Sequence, residues 1–387
     1  MAAFVRRALS TVVAVALAGP AAAEMRFNFP EPVTPLARET LAIHNEFMLI
    51  ITTLFVVVFA IMIYSMVRHR KSAGHPPARF TGPRGALQWF WALVPFAILL
   101  FIDFVLMGIP AVQAIISMED TKTRADMVLK VTGMQWKWQY EYPDSGIKFI
   151  STLSTPREQI SNADAKGEHY LLEVDKPVVL PVGKKVRVLL TSTDVIHTWW
   201  VPQFGVKRDA IPGFLRETWV QIEKPGIYRG QCAELCGKDH GFMPVVVHAV
   251  PEEEYLAWVE QQKLAASAAA GSAERAWSRD ELVAEGKKTY DKVCVACHQA
   301  DGQGLAPAFP PLAASKVVNG PLLDMNGKVI PGSHVDRVMN GKAGTAMQAF
   351  RETLSDVELA SVITYERNAF GNKMGDMIQP AQIKALR

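Results

Sequence analysis

At 387 residues the chain is long enough for two or three domains with cores of their own. Lys and Arg number 41 against 38 Asp and Glu, so the net charge of +3 gives no basic surplus of the kind nucleic acid attracts, and no nucleic-acid partner is expected. The 4 cysteines (Cys232, Cys236, Cys294 and Cys297) stand in two close pairs beside histidines, which is not how a disulfide framework is laid out.

Residues 1–23 read as a secretory signal peptide. Arg6 and Arg7 give a positive start, Ala8 to Ala18 a short apolar stretch, and Ala21-Ala22-Ala23 a cleavage site. That stretch is too short to cross ~30 Å of hydrocarbon. Residues 24–116 then read as a transmembrane hairpin with helices at about 45–67 and 88–110. Phe47 to Val67 carries no charge, and Trp89 to Pro110 holds Pro95, tolerable in lipid, and one ionisable residue, Asp103. Between them Arg68, Arg70, Lys71, Arg79 and Arg84 place the loop on the cytoplasmic side, so the chain beyond about Ile116 lies outside.

Residues 117–255 are strand-like. Val186, Val188 and Leu190 alternate in Lys185 to Leu190, Val245 to Val247 is a short buried run, and Pro181-Val182-Gly183 and Pro225-Gly226 are turns. Short strands so punctuated suggest a small β-sandwich or Greek-key barrel. Residues 256–277 turn polar and small, a linker with a helical first half. As a flexible chain from Gln261 to Ala276 it would span roughly 20 Å and tether the C-terminal domain. Residues 278–372 form that domain, small and helical, opened by the capping box Ser278/Glu281 and carrying a second at Ser355/Glu358. Residues 373–387 are a tail.

Cys294-Val295-Ala296-Cys297-His298 is the C-x-x-C-H signature of covalent haem attachment, with His298 as the proximal ligand. A redox dithiol should follow a strand, whereas a capped helix precedes this one; a zinc site would need more ligands than His334, the one later histidine. Of the later methionines (Met325, Met339, Met347, Met374, Met377), Met347 follows a flexible Gly-Lys-Ala-Gly-Thr-Ala stretch able to fold back over a haem edge. The domain resembles a class I cytochrome c, whose axial methionine stands in an M-P-A-F segment. Here that segment is Met347-Gln348-Ala349-Phe350, with Gln348 in the proline's place, and the resemblance implies Met347 as sixth ligand.

Cys232, Cys236, His240 and Met243 form a run of soft ligands, suited to copper, zinc or iron–sulfur. Zinc would be content with two cysteines and two histidines. Met243 and the upstream His197 favour a two-copper cluster with bridging thiolates. The pattern C-x-E-x-C-x3-H-x2-M, with Asp194-Val195-Ile196-His197-Thr198-Trp199-Trp200-Val201-Pro202 and the aromatic run from Gly133 to Tyr142, resembles subunit II of haem–copper cytochrome c oxidases and their binuclear CuA centre. With the haem domain appended, the chain is similar to the bacterial variety that fuses cytochrome c to this subunit.

The resemblance implies a multidomain membrane protein: a two-helix transmembrane hairpin, a cupredoxin-like Greek-key β-barrel and an all-α cytochrome c domain. It implies copper ligation by His197, Cys232, Cys236, His240 and Met243, with Glu234 giving its carbonyl and its side chain reaching a magnesium ion at the subunit I boundary. Trp136 matches the exposed aromatic where electrons come in. The expected partners are oxidase subunits I and III and a soluble cytochrome c or similar donor. The expected place is the bacterial inner membrane, with both redox domains in the periplasm. Where the family commonly has a glutamate at the mouth of a proton path, this chain has Gln88, an amide that cannot deliver a proton. The alternative reading is a membrane-anchored electron carrier for another reductase, such as nitric oxide reductase.

Overall fold

The computed structural model describes residues 28–74, 82 and 85–387. The signal-peptide reading, with Arg79 and Arg84, lies outside the described residues. Helix α1, Pro35–Arg68, and helix α2, Ala86–Met118, are each long and apolar enough to cross a membrane, and none of the other described residues covers their apolar windows. Gln88 lies in the first turns of α2, and Asp103 sits in its π-helical segment, Phe101–Met107.

Both helices run past their expected ends because they are also fastened to the β domain. Thr34 caps α1 by accepting from the Ala37 amide, while its hydroxyl donates to the Phe204 carbonyl at 2.7 Å. Val33 and Leu36 are buried in the β-domain core, and Arg38 pairs with Glu223. At the far end of α2 the Trp219 indole donates to the Ser117 carbonyl at 2.7 Å, and Arg208 grips Glu119 at 2.9 Å.

The β domain is two five-stranded sheets. One has the order β3-β2-β1-β5-β8 and the other β4-β10-β9-β6-β7. The strands are β1 Met127–Met134, β2 Lys137–Tyr142, β3 Ile147–Ser151, β4 Val178–Pro181, β5 Lys185–Ser192, β6 His197–Val201, β7 Val206–Ala210, β8 Arg216–Gln221, β9 Gly226–Cys232 and β10 Pro244–Val250. The parallel pairs β1/β5 and β4/β10 join strands distant in sequence. Alternation in β5 sends Val186, Val188 and Leu190 into a core shared with Leu129, Trp138, Trp199 and Val247. A short helix α3, Arg157–Ile160, lies on the β3–β4 connection.

Helix α4, Glu252–Ser272, replaces the expected flexible linker. Three glutamates in its first turn suit the helix dipole, and Trp258 packs on Tyr142 with ring centroids 5.2 Å apart. Twenty-one residues make a rod about 30 Å long. The flexible-tether expectation fails because aromatic packing at one end and Ala-rich propensity along the rest favour a continuous helix.

The haem-motif domain comes next. Helix α5, Arg279–Thr289, continues through a π-helical turn, Tyr290–Cys294, to a last turn, Val295–His298. Helices α6 His334–Asn340, α7 Asp356–Asn368 and α8 Pro380–Ala385 complete it. Both expected capping boxes form, at Ser278/Glu281 and Ser355/Glu358. The stretch from 373 to 387 is no loose tail. Ile378 and Ile383 are buried in this domain's core, and Gln379 bonds the backbone of Trp277 in both directions.

The two redox domains touch directly. Ile150 of β3 is buried with the helical core, while Phe309 and Cys297 pack on the β-domain core. Lys292 pairs with Asp175 at 2.7 Å, Lys137 lies over the Phe350 ring, and Gln348 bonds Asp194 at 2.7 Å.

Candidate redox centres

The first centre is built where β9 ends in Cys232 and β10 begins after Met243, beside the start of β6 at His197. The two thiols are buried and free, with sulfurs 3.9 Å apart, nearly twice a disulfide bond length. Around them converge four further donors. His197 Nδ1 is 4.0 Å from Cys232, and the Glu234 carbonyl oxygen is 3.3 Å from it. His240 Nδ1 and the Met243 sulfur are 3.5 and 3.6 Å from Cys236.

The imidazole of His197 is held from behind. Its Nε2 meets Asp194 Oδ1 at 2.9 Å, leaving Nδ1 toward the sulfurs. Burial opposes charge on Asp194, but bonds from His197 and from the Gln135 and Val195 amides outweigh it and hold its pKa below the usual carboxylate value. His197 moves the other way, with burial again overcome by the bond to Asp194. The Cys232 thiol is drawn well below the usual thiol range, chiefly by its hydrogen bond with Cys236, whose own thiol the same bond pushes up. One of the two is thus ready to be the thiolate a soft metal needs.

The floor under His197 is Gly133, in β1. A methyl group there would meet the ring carbon Cδ2 at 2.7 Å. Gly133→Ala is therefore expected to tilt the imidazole and weaken the hold on a metal bound there about 10- to 100-fold, the usual cost of disturbing a supporting group. Titration with a competing chelator checks this.

The second centre is a cavity of about 510 Å³ lined by Cys294, Cys297, His298 and Met347. Cys294 and Cys297 stand three apart on one helical face. His298 Nδ1 donates to the Pro310 carbonyl at 3.0 Å, which orients the ring and leaves Nε2 for a metal. Gly341, at φ +70°, makes the turn that brings Met347 back: the Lys342 amide donates to the Met347 carbonyl at 2.9 Å, and a Cβ on Gly341 would strike that carbonyl. Met339 is fully buried in the core and does not line the cavity; Met325 is fully exposed. Among the described residues, two that line the wall leave a buried polar atom without a partner, His334 Nδ1 and Gln348 Oε1. A volume of this size, two thiols, an oriented imidazole and a thioether fit a c-type haem.

The structure thus gathers every candidate ligand the sequence singled out, in two groups, with Trp136 between them. Trp136 is not open to a soluble partner as expected. It is 6% exposed, because Phe309 of the helical domain covers it edge-on with ring centroids 6.2 Å apart. Its indole donates to the Cys236 carbonyl at 3.2 Å. Sequence reasoning missed three supports: Asp194 behind His197, Pro310 behind His298, and the buried His334–Glu366 pair, 2.6 Å apart on the cavity wall. An aspartate three residues before a ligand histidine was the legible hint for the first. The others arise from distant chain and leave no local pattern.

Comparison with known proteins agrees. The family model for the transmembrane domain of cytochrome c oxidase subunit II matches residues 22–109, and that for its periplasmic domain residues 127–250. Residues 281–365 match the model for cytochrome c oxidase, cbb3-type, subunit III. Cytochrome c oxidase subunit 2 of Cereibacter sphaeroides is 36% identical over 249 residues, spanning 61% of this chain and 80% of that protein. The probable subunit 2 of Rickettsia bellii is 34% identical, over 62% of this chain and 86% of its own. The crystallised periplasmic domain of subunit II from Bradyrhizobium japonicum shares 46% identity over 36% of this chain and 95% of its own, with a TM-score of 0.33. The chain belongs to the cytochrome c oxidase subunit II family: it is a two-span electron-input subunit of a haem–copper oxidase, with a CuA copper domain and a fused haem c domain.

Proposed function

We propose that His197, Cys232, Cys236, His240 and Met243, with the carbonyl of Glu234, hold the binuclear copper, and that Cys294, Cys297, His298 and Met347 hold the haem. The observation that carries this is the convergence of a thioether, a carbonyl and two Nδ1 atoms on one buried, unbridged cysteine pair. When bound, the two groups would supply one-electron chemistry, as suits a subunit that takes electrons from a soluble cytochrome c or similar donor for subunit I, where oxygen is reduced.

The residues around the groups suit that role. Trp136 fills the gap between the two centres, touching Phe309 on one side and bonding Cys236 on the other, and is the aromatic through which electrons cross. The Glu234 side chain is exposed on the copper loop, free to reach a magnesium ion at the subunit I boundary. Val195, Ile196 and Leu235 on the same loops are exposed apolar side chains, as a surface covered by subunit I requires. Subunit III would share the bare membrane surface of the helices. The chain lies in the bacterial inner membrane, with both redox domains in the periplasm.

Elemental and haem analysis of this subunit, separated from subunit I, is the test. Two coppers and one covalent haem per chain are expected; a single zinc with no copper would overturn the copper assignment.

A further inference from the structure

The contact between the two domains contains one polar link that bears on both centres. The carboxylate of Asp194 is only 7% exposed and has five partners. Oδ1 accepts from the Val195 amide at 2.7 Å and from the Ser192 hydroxyl at 3.2 Å, and meets His197 Nε2 at 2.9 Å. Oδ2 accepts from the Gln135 amide at 2.7 Å and from Gln348 Nε2 at 2.7 Å. Four of the five come from the copper domain. The fifth, Gln348, comes from the helical domain and is the residue next to Met347.

A carboxylate can only accept, so the amide of Gln348 must present its nitrogen there. The result is one unbroken connection. It runs from the Met347 loop through Gln348 to Asp194, and from Asp194 to the ring of His197. Beside it Gln135 also donates its side chain to the Cys236 carbonyl at 2.8 Å, so the β1–β2 turn is tied to both the copper loop and this link.

We propose that Gln348 is a positioning residue that latches the haem domain onto the copper domain, and that through Asp194 it sets the orientation and hydrogen bonding of the His197 imidazole. This rests on the ligand assignments above. Neither consequence belongs to the helical domain's own stability, since the side-chain nitrogen of Gln348 bonds across the interface. Loss of a hydrogen bond to an ionised, nearly buried acceptor moves an equilibrium by roughly tenfold or more. Other interdomain contacts, among them Lys292–Asp175, Trp136–Phe309 and Lys137–Phe350, remain to keep the domains associated part of the time.

The test uses the full-length subunit loaded with copper and haem, comparing the wild type with Gln348→Leu and Gln348→Lys. Gln348→Leu keeps the bulk but cannot donate. It is expected to raise the exchange rate of interface amides, Gln135 and Trp136 among them, on the order of tenfold. It should also shift the paramagnetic resonances of the His197 ring, although the substitution is in the other domain, and slow haem-to-copper transfer after flash reduction. Copper content and the Met-ligated haem spectrum should stay at wild-type values. Gln348→Lys, whose ammonium can donate to Asp194, should restore exchange, resonances and rate. The proposal is overturned if Gln348→Leu leaves amide exchange and the His197 resonances unchanged, or if Gln348→Lys fails to recover them. Failure of the ligand assignments would appear differently, as missing copper or missing Met-ligated haem in the wild type itself.

Discussion

Replacement of Cys232 or Cys236 by Ser is expected to abolish the copper centre and, with it, oxidation of a soluble donor by the complex, while covalent haem stays at one per chain. The change is nearly isosteric, so packing in the β-domain core does not account for the effect. Serine offers a hard, protonated oxygen where a soft metal needs a thiolate. The geometry adds that the two sulfurs serve different partners. His197 and the Glu234 carbonyl cluster on Cys232, while His240 and Met243 cluster on Cys236. Removing either sulfur therefore separates the remaining donors into two incomplete sets. Met243→Leu keeps both thiolates and should retain copper with a shifted potential and an altered visible spectrum. Optical and paramagnetic spectra with metal analysis read all three variants. Normal spectra in both serine variants would show that the thiolates are not the bridge.

Much of this arrangement was legible in the sequence because its signals are local. The C-x-x-C-H run places two thiols and an imidazole within one turn of helix, and the capping boxes at Ser278 and Ser355 each close within four residues. The alternation from Val186 to Leu190 reports a half-buried strand directly. The contact between the domains had no such signal. Gln348 and Asp194 are 154 residues apart, and Trp136 is covered by a residue 173 positions away, Phe309. A polar, Ala-rich stretch after Tyr255 reads equally as coil or as exposed helix, because it lacks an apolar face. The packing of Trp258 and Val259 on the β domain anchors α4 at its start, and Ala-rich propensity carries it on. Position 136 shows the same limit. An aromatic at a redox surface looks alike in sequence whether its cover is a diffusing protein or the chain's own next domain.

Met347→Ala is expected to leave the haem covalently attached but remove its Met-ligated low-spin signature. Its potential should fall by on the order of 100 mV, within the ~0.8 V that axial ligands span. The loop does not depend on the methionine side chain for its shape. Lys342 donates to the carbonyl of residue 347, the Thr345 hydroxyl accepts from its amide, and the Phe350 amide reaches back to Val338. Those are backbone positions that alanine keeps, so the spectral change would report the missing sulfur and not a collapsed loop. Met339 provides the contrast. It is fully buried in a core with Val335, Val338 and Leu359, and it does not line the cavity that Met347 lines. Met339→Ala should cost about 2–5 kcal/mol of stability as a core truncation, with the haem spectrum unchanged. Thermal unfolding and reductive titration of the two variants separate the roles. Should Met339→Ala be the one to lose the low-spin spectrum, the sixth ligand would be Met339, and the Met347 loop would serve only to carry Gln348 to the copper domain.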